Sequence, residues 1–109
     1  MKTKLLLLVT LLGAAGLFGG ADLGAVDQSV NDALLHTREA ITAGQAGQGA
    51  GVADHAQQAL NALSGRTDPR SMEAARHLQE AIAAGRAGDA SSGALHATQA
   101  QSQLQGLGG

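Results

Sequence analysis

The strongest constraint on this chain is a glycine-punctuated stretch that occurs twice. His36-Thr37-Arg38-Glu39-Ala40-Ile41-Thr42-Ala43-Gly44-Gln45-Ala46-Gly47 returns 41 residues later as His77-Leu78-Gln79-Glu80-Ala81-Ile82-Ala83-Ala84-Gly85-Arg86-Ala87-Gly88. At the same offset His55-Ala56-Gln57-Gln58-Ala59 returns as His96-Ala97-Thr98-Gln99-Ala100, and residues 34–63 match 75–104 without a gap at 14 of 30 positions. Each copy would leave an apolar stripe bare if it folded alone. The economical solution is for the two copies to cover each other.

Each copy reads as a helical hairpin. Ala, Leu, Gln, Glu and Arg are abundant and β-branched residues are few, which favours helix. In the first segment, from about Asp27 (a candidate N-cap) to Ala43, the residues Val26, Val30, Leu34, Thr37 and Ile41 fall on one stripe. Gly44 is expected to end it as a C′ glycine. A second helix from about Ala50 to Leu63 carries Val52, Ala56, Ala59, Leu60 and Leu63, and Ser64-Gly65 stops it. Asp68-Pro69 is a cap followed by proline at the first helical position, where a missing N–H costs nothing. The third helix runs from there to about Ala84, with Ser71, Ala75, Leu78 and Ile82 facing one way and Gly85 in the place of Gly44. The fourth, capped by Asp89 or Ser91, runs from about Ala90 to Gln105, and its stripe of Ala90, Ala94, Ala97, Gln101 and Leu104 is the weakest. Short links imply antiparallel neighbours. The expected fold is therefore all-α: an up-down-up-down antiparallel four-helix bundle of two repeated hairpins, at about 27–64 and 68–105.

Residues 1–21 read as an export signal: Lys2 and Lys4, an apolar run from Leu5 to about Phe18, and small residues ending at Ala21. Its cleavage would leave no membrane segment and a domain of residues 22–109, expected in the periplasm. Both lysines leave with the signal, so five arginines face nine acids, a net charge of −4 with neutral histidines. That balance disfavours nucleic acid and suits cations. The chain has no cysteine, which excludes disulfides, thiolate metal sites and a thiol nucleophile. Its only aromatic residue, Phe18, lies in the signal, so stacking platforms and aromatic cages are excluded. The small core makes self-association or metal binding a natural further source of stability.

The chemistry-bearing groups are histidines and carboxylates. Asp32, His36 and Glu39 stand at i, i+4, i+7, and Glu73, His77 and Glu80 repeat that spacing. Each set spans roughly 60° of helix arc. Imidazole with carboxylate suits Cu(II), Ni(II) and Zn(II). The sets lie roughly 120–180° from the apolar stripes, so they are expected to be exposed. His55 and His96 are expected nearer the helix interfaces, within reach of the neighbouring helix of their own hairpin. The bland alternative is a solvated surface of ordinary i, i+4 pairs worth a few tenths of a kcal/mol each. Gly44-x-x-Gly47-x-Gly49-x-Gly51 follows a helix and not a strand, so it does not read as a nucleotide loop. No nucleophile elbow is present, so no enzyme is expected.

The order of signal, His-x-x-Glu-Ala-Ile-x-x-Gly-x-x-Gly and His-Ala-x-x-Ala, twice over, resembles the small metal-binding proteins of the bacterial periplasm. The resemblance covers most of Val30 to Leu104. It implies an antiparallel four-helix bundle that binds divalent metals, copper foremost, with a role in metal storage or tolerance. His36, Glu39, His55, His77, Glu80 and His96 carry over as ligands, with Asp32 and Glu73 as helpers. Positions where that family has further histidines hold Ala43, Ala84, Gln48 and Asp89 here. The competing expectation is an exported helical interaction module that has lost most metal binding.

Overall fold

The computed structural model describes residues 28–108. The expected export signal, its expected cut after Ala21, Val26 and the expected Asp27 cap lie outside the described residues. Four helices follow in order: α1 Gln28–Gln45, α2 Gly49–Ala62, α3 Pro69–Arg86 and α4 Ala90–Gly108. No strand occurs among the described residues. None of the four helices is long and apolar enough to cross a membrane.

The helices form a bundle in which α1 lies beside α2 and α4, and α3 beside α4 and α2. The late turns of one helix meet the early turns of its neighbour. Gly44 near the end of α1 packs on Ala90 and Ala94 at the start of α4, and Gly85 near the end of α3 packs on Gly49 and Ala53 at the start of α2. These contacts are reciprocal, since Gly85 and Ala94 stand 41 residues after Gly44 and Ala53. A Cβ at Gly44 would stand 2.5 Å from the Ala94 Cβ, and one at Gly85 would stand 2.5 Å from the Gly49 carbonyl oxygen.

That packing corrects the expected helix ends. Gly44 and Gly85 do not terminate α1 and α3; they are buried inside them, where the absent side chain lets a neighbouring helix approach. The helices stop one turn later, at Gly47 (φ 76°) and Gly88 (φ 84°). There Gln48 N–H donates to the Ala43 carbonyl at 2.8 Å and Asp89 N–H to the Ala84 carbonyl at 2.9 Å. These are the wrapped bonds of a Schellman stop, which needs the left-handed conformation glycine supplies.

The core contains Val30, Leu34, Val52, Leu63, Leu78, Ile82 and Leu104, with alanines between them. Burying each large side chain is worth roughly 1.5–3 kcal/mol. Ile82 is buried as expected, whereas Ile41 is only partly buried against the cluster. Thr37 is fully buried and its hydroxyl has no hydrogen-bond partner. Leu78 occupies the matching place in the second hairpin.

The connection between the hairpins is tied by polar contacts. Asp68 caps α3 by accepting from Ser71 N–H at 3.0 Å, with Pro69 in the first turn. Arg66 donates to Ser71 Oγ at 2.8 Å and to Ser29 Oγ on α1 at 3.4 Å. It also pairs with Asp68 Oδ1 at 3.1 Å. Partial burial raises the Asp68 carboxyl, but the Ser71 hydrogen bonds and the Arg66 charge outweigh it and hold the pKa below its ordinary value.

Candidate metal centre

Each hairpin brings three of the expected donors to one point. In the first, α1 supplies His36 and Glu39, one turn apart, and α2 supplies His55. The Glu39 Oε1 atom lies 3.0 Å from His36 Nδ1 and 3.3 Å from His55 Nδ1. In the second, Glu80 Oε1 lies 3.1 Å from His77 Nδ1 and 3.2 Å from His96 Nδ1 on α4. Within each trio the donor atoms all lie within 4.8 Å of one another.

The expectation that His36 and His77 face open solvent is corrected. Their side chains are only 27% and 15% exposed. A helix in a four-helix bundle touches two neighbours, so a flank turned from its own apolar stripe is still covered by the next helix. His55 and His96 provide that cover here. Both reach their hairpin partner, as the sequence suggested.

The two interhelical histidines are not satisfied by the glutamate. His55 Nδ1 and His96 Nδ1 are buried and have no hydrogen-bond partner, despite the short distance to the carboxylate. The separation is right but the alignment is not. A buried imidazole nitrogen without a partner is costly, and a cation placed between nitrogen and carboxylate would remove that cost. The spacing also fits: two donors each about 2.1 Å from one ion stand about 3.0–3.4 Å apart.

Asp32 and Glu73 occupy equivalent positions but differ in surroundings. Asp32 is exposed and makes no ion pair among the described residues. Glu73 Oε2 approaches His77 Nε2 at 3.5 Å, at the ring nitrogen other than the one that meets Glu80. It also pairs closely with Arg76, which reaches Glu80 Oε2 at 3.2 Å. The Arg76 hydrogen bond and charge hold Glu73 below the usual carboxylate range, and Glu73 in turn pushes Arg76 up. Arg76 was not singled out in the sequence, although its i, i+3 and i, i+4 spacing to Glu73 and Glu80 was a readable signal. Its counterpart in the first hairpin is Leu35.

A four-helix bundle with two interhelical His–Glu–His clusters defines a class of helical proteins built around candidate metal centres. The particular family follows from comparison: the model of the small metal-binding protein family matches residues 2–106, and the chain belongs to that family. No curated protein sequence matches it.

Proposed function

We propose that this protein is a periplasmic, non-enzymatic carrier or store of divalent metal, taking one ion in each hairpin and favouring Cu(II). The observation that carries the proposal is the pair of clusters in which two Nδ1 atoms from different helices meet one carboxylate oxygen, with the His55 and His96 nitrogens buried and unpartnered. Family membership supports metal as the ligand. The donor set supports Cu(II) ahead of Ni(II) and Zn(II), since nitrogen and oxygen sites follow that order of affinity. The absence of thiols disfavours a Cu(I) role. The Lys2, Lys4 and Leu-rich beginning supports export. His36, Glu39, His55, His77, Glu80 and His96 are the assigned ligands. Glu73 acts as an orienting group behind His77, as outer partners do for ligating imidazoles.

Calorimetric titration with Cu(II), Ni(II) and Zn(II) tests the reading. Two bound copper ions per chain are expected, with affinity falling below about pH 6.5 as imidazoles protonate. The variant His36→Ala/His77→Ala should lose most copper affinity. Heat no greater than that of a scrambled four-histidine helical peptide would sink the metal reading. It would leave the helical interaction module, whose self-association sedimentation would detect.

A further inference from the structure

The two centres share donors but not surroundings. A cleft of about 490 Å³ opens beside the first cluster, and Glu39 and His55 form part of its wall. Leu35, Ala43 and Ala46 give it an apolar side, and Arg38 supplies a cation. Arg38 is exposed, and no carboxylate of the described residues pairs with it. At the second cluster the matching residues are Arg76 for Leu35 and Gln79 for Arg38. Arg76 is already engaged by Glu73 and Glu80.

From this difference we infer that the first centre takes its metal together with a small aliphatic carboxylate, while the second takes the ion alone. The inference rests on the metal-binding proposal above. Three protein donors leave at least one coordination position of a divalent ion open. At the first centre the cleft borders two of those donors. One carboxylate oxygen would enter the open position and the other would pair with Arg38. The short alkyl chain would lie against the apolar part of the cleft wall nearest the ion. Charge-assisted pairing of guanidinium with carboxylate makes Arg38 the group that selects an anion. At the second centre Gln79 offers no charge, and the Arg76 guanidinium has its own carboxylates.

Propionate is a suitable probe because its intrinsic hold on copper is too weak to strip the protein. It is added to protein loaded with two equivalents of Cu(II), and the electron paramagnetic resonance spectrum is followed. The expected result is a saturable change in the signal of one copper ion per chain. Arg38→Gln should require at least tenfold more propionate with copper loading unchanged. Glu80→Gln should remove the unresponsive signal and keep the responsive one. Equal response of both signals, response of neither, or a wild-type propionate midpoint in Arg38→Gln would overturn the inference and leave metal binding intact. Failure to take up copper at all would instead overturn the metal proposal beneath it.

Discussion

The first hairpin and the second hold the same His–Glu–His trio, yet their surroundings are built differently. The second is the more polar: Arg76 links Glu73 to Glu80, and Glu73 reaches His77 Nε2. Asp89 caps its fourth helix by accepting from Ser92 N–H at 3.1 Å. The first leaves Glu39 without a basic partner other than histidine among the described residues and places Gln48 at the N-cap of α2, where its side chain makes no capping bond. The two hairpins therefore share donors and helix-packing glycines, while the groups around them differ. The part common to both hairpins bears on binding an ion; the part that differs bears on what accompanies the ion and on local stability.

The sharpest way to break this comparison is to remove one carboxylate at a time. Glu39→Gln and Glu80→Gln should each reduce strong copper binding from two ions to one, with the affected centre weakened by more than the roughly 10–100-fold typical of losing a ligand's outer partner. A calorimetric stoichiometry still at two in either variant would show that its glutamate is not a ligand.

Next come the packing glycines. Gly44→Ala and Gly85→Ala should each destabilise by about 1–3 kcal/mol in urea unfolding, despite the better helix propensity of alanine. The contrast lies in rescue. Ala94→Gly should restore part of the loss at Gly44, where the nearest obstacle is a side-chain carbon and the Ala90 carbonyl oxygen at 2.8 Å remains. Ala53→Gly should restore less at Gly85, where the nearest obstacles are backbone atoms. Equal rescue would remove the distinction.

Thr37 and Leu78 give a smaller test. Thr37→Val deletes a buried hydroxyl with no partner and should raise stability by about 1 kcal/mol, seen as a higher melting temperature. Leu78 already holds the apolar form of that position. No stabilisation would mean that the hydroxyl is satisfied in solution.

The caps come last. Gln48→Asp gives α2 the residue that caps α4 and should add about 0.5–1 kcal/mol in thermal unfolding. Asp68 supplies a pH signature. Its folded pKa is depressed, so the stability it contributes is present above its ordinary value and is lost as pH falls through and below about 4. Asp68→Asn should flatten that acid limb of the melting curve. An unchanged limb would assign the acid sensitivity to other carboxylates.

Much of this was legible before the structure. The 41-residue offset, the Asp68-Pro69 start and the apolar stripes are local patterns, and they led to four helices and a bundle. The glycines misled because the ends of α1 and α3 each carry two, three residues apart, and local sequence does not say which is the stop. Contact with α4 keeps Gly44 inside α1, and contact with α2 keeps Gly85 inside α3. The histidine faces misled for a related reason. A helical wheel describes one helix against water, whereas α2 and α4 supply His55 and His96 to the faces it left open. The Leu35–Arg38 cleft has no signature along the chain, since it arises only where two helices meet.

The reciprocal seating of Gly44 on Ala94 and Gly85 on Ala53 has a consequence for how such a molecule can be assembled. At these two seats, the surface that one hairpin offers is the surface the other receives. A hairpin of this kind is complementary to a copy of itself, which is the property that closes a twofold dimer. Two detached halves mixed in solution should therefore rebuild the bundle. The loop through Arg66 serves to raise the effective concentration of one half for the other, and recognition is already written into each half.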